Sequence, residues 1–91
     1  MKAVMYGAGN IGRGFIAKRF YLSGADTTFI DVNTELVDML NAAGRYPIYV
    51  TRGEKYVPEW VERVNAVNGR DAEAVINTIA DTDIMATALG V

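Results

Sequence analysis

A short apolar run, Lys2-Ala3-Val4-Met5-Tyr6, ends abruptly at Gly7-Ala8-Gly9-Asn10-Ile11-Gly12. No other stretch restricts the fold as strongly. The run has the length and character of a strand buried on both faces. The residues after it open a helix. Asn10 is placed to cap it, and Ile11, Phe15, Ile16 and Phe20 recur at roughly helical spacing until Ser23-Gly24 stops it after Leu22. Glycine-rich turns have many uses, a merely structural turn among them, and it is the position of this one between a strand and a helix that narrows them.

The chain then repeats the alternation. Thr27-Thr28-Phe29-Ile30 is β-branched and aromatic and predicts a second strand ending at Asp31. Asn33 or Thr34 caps a second helix with Leu36, Val37 and Leu40 on its inner face, and Gly44 is its stop. A β-rich insert follows. Arg45 to Arg52 and Lys55 to Val67 flank a Gly53-Glu54 turn, and Pro47 and Pro58 confine these segments to edge positions or irregular starts. Asp71 caps a third helix to about Ala80, with Ala72, Val75, Ile76 and Ile79 expected to face inward. Asp83 to Leu89 reads as a last, buried strand.

Strands alternating with helices imply an α/β fold: a parallel sheet with right-handed crossovers and flanking helices. The glycine pattern G-x-G-x-x-G in that setting is the dinucleotide-binding signature of the Rossmann fold. Gly7 permits the tight turn, Gly9 lets the backbone approach a pyrophosphate, and Gly12 allows the helix to pack closely on the sheet. Amide N–H groups at the helix start, contributed from Ala8 through Gly12, receive the phosphates. Asp31 lies nineteen residues beyond Gly12. A carboxylate at the end of the second strand accepts the adenosine ribose hydroxyls and repels a 2′-phosphate, which favours NAD over NADP. No arginine follows it; Val32 and Asn33 do. The alternative for Asp31 is a turn residue capping the next helix. Arg13 either approaches the pyrophosphate or is a solvated helix residue. The last strand ends at the same carboxyl edge, so Thr87, Leu89 and Gly90 are candidates to line the path toward the nicotinamide. In the strand order 3-2-1-4-5-6 the chain supplies the first half and strand four, so residues 1–91 are expected to be the N-terminal part of an NAD-binding domain, truncated after about strand four.

Composition removes several function classes. The 91 residues include no cysteine and no histidine, which excludes disulfides, thiol catalysis, common zinc sites and a Ser-His-Asp triad within this chain. No metal site is expected. A net charge of −2 gives no electrostatic case for nucleic acid or an anionic membrane. No apolar run approaches a membrane span of about 18 residues. No secretory leader is evident, and a cytoplasmic location is expected. Tyr46, Tyr49, Tyr56 and Trp60 read as cross-strand packing rather than a stacking surface. Glu59, Glu62 and Arg63 read as a solvated charge cluster, and Lys18 and Arg19 as solvent-facing helix residues.

At Lys2-Ala3, at Gly7-Ala8-Gly9-Asn10-Ile11-Gly12-Arg13-Gly14-Phe15-Ile16 and at Phe29-Ile30-Asp31-Val32-Asn33 the sequence resembles the polyol-specific long-chain dehydrogenases. Val64-Asn65-Ala66-Val67 and Thr87-Ala88-Leu89-Gly90 also look like segments of that family, while Arg45 to Glu62 matches it poorly. The resemblance implies NAD-dependent interconversion of a polyol or its phosphate and a ketose or its phosphate, mannitol 1-phosphate and fructose 6-phosphate foremost. It assigns Gly7, Gly9, Gly12 and Asp31 to the cofactor. Family members are several hundred residues long, and their catalytic lysine lies in a C-terminal domain, so no catalytic residue is expected in this chain and the sugar-phosphate or polyol substrate would be met through that domain. The competing readings are a non-catalytic nucleotide-sensing regulatory module and, less well matched to three glycines, a methyltransferase. A chain ending at strand four is also expected to self-associate, because Ile84 to Leu89 would present an unpaired edge.

Overall fold

A computed structural model describes residues 1–8 and 12–87, leaving aside the side chain of Phe15. β1 (Lys2–Tyr6) buries Ala3, Val4 and Met5 in succession, as a strand covered on both faces does. Downstream of the glycine turn a π-helical turn, Gly12–Ile16, leads into α1 (Ala17–Leu22). The single α-helix expected here therefore opens with a wider winding, a feature that usually occurs as one such turn attached to an α-helix. Ser23 and Gly24, the latter at φ 86, end it.

β2 (Asp26–Asp31) pairs parallel with β1, Lys2 opposite Asp26 through Tyr6 opposite Ile30. α2 (Thr34–Ala43) starts at Asn33, whose side chain accepts the Leu36 amide, and stops at Gly44 in the left-handed region. β3 (Arg45–Arg52) and β4 (Lys55–Glu62) form an antiparallel hairpin around Gly53-Glu54. Among the described residues the two pair only with each other, which leaves each an open edge on which Pro47 and Pro58 are tolerated.

The stretch from Lys55 to Val67 is not one segment. Arg63, at φ 56, turns the chain, and β5 (Val64–Asn68) then joins the main sheet parallel to β2. The third parallel strand is thus the tail of what the sequence presents as an insert. The guanidinium of Arg63 is 3.3 Å from the Asp26 carboxylate and 5.0 Å from the Tyr21 ring centroid. The Val64 amide donates to the Gly44 carbonyl at 3.2 Å, so the hairpin leaves and re-enters the domain at one point. α3 (Ala72–Ala80), capped by the Asp71 carboxylate on the Ala74 amide, leads to β6 (Ile84–Thr87), which pairs parallel with β1. The sheet order is β5-β2-β1-β6, the 3-2-1-4 arrangement with its reversal between β1 and β6.

Met5, Phe29 and Ala66 stand side by side across three strands. They form one core with Ala17, Val37 and Leu40 of the helices and with Tyr46 and Val61 of the hairpin. Complete burial of a side chain such as Phe29 or Leu40 contributes about 1.5–3 kcal/mol. The other face is thinner. Val4 and Ile30 are buried there, but α3 buries none of its residues. Ala72 is exposed, Val75 only half-buried, and Ile76 and Ile79 are 65% and 38% exposed, contrary to the inward stripe expected. β6 likewise exposes Ile84 and Met85 rather than being buried. An apolar stripe is buried only where a second layer faces it, and among the described residues α3 is the only helix on this side.

The hairpin aromatics also divide. Tyr46 is core. Tyr49 and Tyr56 are exposed, opposite Pro58 and Thr51, and Trp60 lies opposite Pro47 with the Arg45 guanidinium 4.2 Å from its ring. Lys18 does not simply face solvent: its ammonium is 3.0 Å from Glu59, with the lysine side chain 27% exposed. The charge cluster disperses into pairs, Glu59 also with Arg52, Glu62 with Arg45, and Arg63 with Asp26.

Candidate functional site

Every parallel strand delivers its carboxyl end to one edge, and the two ends nearest the β1/β6 reversal are Tyr6 and Thr87, which are direct register partners. Gly7 follows Tyr6 at φ 102, a backbone angle that an L side chain rarely adopts. Its amide donates to the Ile30 carbonyl at 2.7 Å, extending the β1–β2 ladder into the turn. Ala8, fully buried, donates its amide to Oδ2 of Asp31 at 2.8 Å. The other carboxylate oxygen, Oδ1, accepts the Asn33 amide at 2.9 Å.

The two strongest signals in the sequence, the glycine turn and the acid after the second strand, are therefore one hydrogen-bonded unit. Burial pushes the Asp31 carboxyl up, but amide donors from Ala8, Asn33 and Val32 and the charge of Arg13 outweigh it and hold the group below its ordinary value of 3.8. An ionised carboxylate oxygen has capacity beyond one amide donor, so Asp31 staples the turn and remains an acceptor. The helix-capping role considered for it falls to its neighbour Asn33.

Gly69 was not anticipated. Its amide donates to the Asp31 carbonyl at 2.9 Å, and a Cβ on it would stand 3.3 Å from Cγ1 of Val32 and 3.5 Å from Cγ2 of Ile30. The Asn68-Gly69 pair after a β-branched run was the available signal. Tyr46 is the second omission: its hydroxyl donates to the Arg13 carbonyl at 2.7 Å. Gly7, Ala8, Asp31 and Thr87 are brought to one edge, and Gly12 opens the helical segment beside it. Gly9, Asn10, Ile11, Leu89 and Gly90 lie outside the described residues.

A dinucleotide fits this edge on three observations: the positive φ of Gly7, the Ala8 amide that ties the turn to Asp31, and a carboxylate held in its ionised form at the end of β2. A cavity of about 570 Å³ lies elsewhere. It is lined by Lys2, Val4, Asp26, Thr28, Asn65 and Asp81, at the amino ends of the strands under α3, and plays no part in this site. Among the described residues no group of three or more acidic side chains is placed to hold a metal ion, and no helix is long and apolar enough to cross a membrane.

Residues 1–91 match the profile of the mannitol dehydrogenase Rossmann domain. The chain is 48% identical over 91 residues to mannitol-1-phosphate 5-dehydrogenase of Exiguobacterium sibiricum, covering 99% of this chain and 24% of that protein. It is 43% identical to the enzyme of the same name from Geobacillus thermodenitrificans, with 99% and 23% covered, and 44% identical to that of Shouchella clausii, with 99% and 24% covered. The chain spans about a quarter of the length of these relatives. Nothing among these similarities supports a nucleotide-sensing module.

Proposed function

The chain belongs to the mannitol dehydrogenase family, as its Rossmann domain, and on that premise we propose that it is the NAD-binding part of an oxidoreductase interconverting mannitol 1-phosphate and fructose 6-phosphate. The observation that carries the reading is the hydrogen bond from the Ala8 amide to Asp31, which joins the phosphate-receiving turn to the ribose-binding acid at the carboxyl edge.

Each residue has a task. Gly7 turns the backbone at the carboxyl end of β1; the Ala8 amide is engaged by Asp31, and the role of receiving the pyrophosphate is assigned to the amides that follow it in the glycine-rich segment. Asp31 accepts the ribose hydroxyls and, ionised, repels a 2′-phosphate. Thr87, opposite Tyr6 at the reversal, lines the way to the nicotinamide with Leu89 and Gly90. The bound dinucleotide supplies the hydride acceptor for the alcohol carbon. The group that takes the hydroxyl proton, and most contacts to the sugar phosphate, belong to a further domain of the protein. A cytoplasmic, soluble enzyme without nucleic-acid or membrane partners is the matching setting.

The test is a comparison of NAD and NADP in the full-length protein with mannitol 1-phosphate as substrate. Wild type should prefer NAD, and Asp31→Ala should reduce that preference about tenfold or more, the loss of a charge-assisted hydrogen bond pair. A wild type that prefers NADP overturns the reading of Asp31, and absence of turnover with any polyol or polyol phosphate overturns the reaction.

A further inference from the structure

One side chain of the hairpin reaches the helical segment that follows the glycine-rich turn. Tyr46, the second residue of β3, is 5% exposed and packs edge-on against Phe29, ring centroids 5.9 Å apart at 66°. That contact anchors the ring in the centre of the sheet. Phenylalanine would fill the same volume and make the same contact. The hydroxyl instead reaches past the core to the Arg13 carbonyl at 2.7 Å. Arg13 lies in the π-helical turn Gly12–Ile16, directly after the glycine turn, where carbonyls depart from the α-helical hydrogen-bond pattern. Burial keeps the phenol protonated, so it acts as a donor, the role a carbonyl demands.

Two further observations show the same linkage. The Lys18–Glu59 pair, at 3.0 Å, ties α1 to β4 a turn and a half further on. The charge of Arg13 bears on both Asp31 and Tyr46. Arg13, Gly14, Tyr46, Pro47 and Ile48 enclose a cleft of about 190 Å³ at this junction.

We propose that Tyr46 is a positioning residue for the glycine-rich turn: its hydroxyl fixes the Arg13 carbonyl, and thereby the start of the first helical segment, so that the hairpin sets dinucleotide affinity without touching the cofactor. The inference rests on the dinucleotide reading above. Its specific content is that affinity for the pyrophosphate part depends on one hydrogen bond from outside the turn.

The experiment uses the full-length protein as wild type, Tyr46→Phe and Phe29→Leu. NADH, ADP-ribose and adenosine are titrated against each, and amide hydrogen exchange is followed at Ala8 and Gly14. Tyr46→Phe should weaken NADH and ADP-ribose about five- to tenfold, the effect of one net hydrogen bond. Adenosine, which lacks the pyrophosphate, should change less than twofold, and exchange at Ala8 and Gly14 should quicken by a similar factor to the affinity loss. Phe29→Leu weakens the core and should lower the melting temperature without that selective pattern. Equal affinities and equal exchange in Tyr46→Phe overturn the proposal. So does a loss shared equally by adenosine and ADP-ribose, or the same selective loss in Phe29→Leu, since either outcome reduces Tyr46 to a core residue. A wild type that binds no NADH overturns the cofactor reading instead, and the exchange comparison then decides alone whether Tyr46 holds the turn.

Discussion

Asp31 accepts the Ala8 and Asn33 amides on the two oxygens of one carboxylate, and its titration reports on them. Its folded value lies below its ordinary 3.8, so the ionised form is the one the fold favours. The associated stability is fully present above the ordinary value and is lost as pH falls through the depressed one. Urea unfolding of wild type and Asp31→Asn should give a stability difference that is constant from neutrality to about pH 5 and shrinks below it. A difference that vanishes near neutrality would mean a raised value. Gly7 offers a second test. At φ 102 a Cβ is strained, and Gly7→Ala should cost about 1–3 kcal/mol in the same assay. Both residues were legible in the sequence because their chemistry is local: a glycine where a strand meets a helix, an acid where the next strand ends. The hydrogen bond from the Ala8 amide to the Asp31 carboxylate, twenty-three residues apart, was not, since it exists only once β1 and β2 lie side by side.

At the scale of elements, helix ends followed from the chain and helix faces did not. Asn33, Gly44 and Asp71 end helices where their types require, because each cap is local: Asn33 and Asp71 accept an amide three residues on, and Gly44 takes the left-handed backbone and donates to the Leu40 carbonyl. Asn33→Ala should therefore lower stability by about 1 kcal/mol, read from denaturant unfolding. The hairpin depends on longer contacts. Lys18 and Glu59 are both partly buried, and a double-mutant cycle with Lys18→Met and Glu59→Gln should give a favourable coupling of about 0.5–1 kcal/mol, near the upper end for such pairs. A coupling of zero would leave Tyr46 as the principal tie between hairpin and helix. β5 shows a further contact no pattern announced: the Asn41 side chain accepts the Ala66 amide at 2.8 Å and donates to the Ala66 carbonyl at 2.9 Å. That paired bond covers the backbone of a strand lying at the edge of the sheet, a protection edge strands require.

For the molecule as a whole, the two sides of the sheet are unequal. The face under α1 and α2 is a packed core, while on the α3 side Ile76 and Met85 stay exposed; Ile84, on the α1 and α2 side but at the outer edge of the sheet, is exposed as well. β6 has β1 on one side and no strand on the other among the described residues. A polypeptide restricted to residues 1–91 should self-associate through this edge, with sedimentation velocity rising over a concentration series, and should turn over no mannitol 1-phosphate with NAD. A strict monomer at all concentrations, with slow amide exchange along β6, would show that the edge is covered in another way.

The alternation of strands and helices, the caps, the hairpin turn and the paired signals at Gly7 and Asp31 were determined by sequence alone, because each depends on side chains within a few residues of one another or on a pattern with a fixed period. Only the tertiary structure decided which β segment is the third strand, which of four hairpin aromatics is core, which helix stripe is covered, and that the Ala8 amide is hydrogen-bonded to Asp31 and the Tyr46 hydroxyl to the Arg13 carbonyl. The reason is the same in each case. Burial and long-range hydrogen bonding depend on what lies opposite a residue in space, and residues such as Arg63 and Gly69 fix that through single backbone angles and close approaches that leave no periodic mark on the chain.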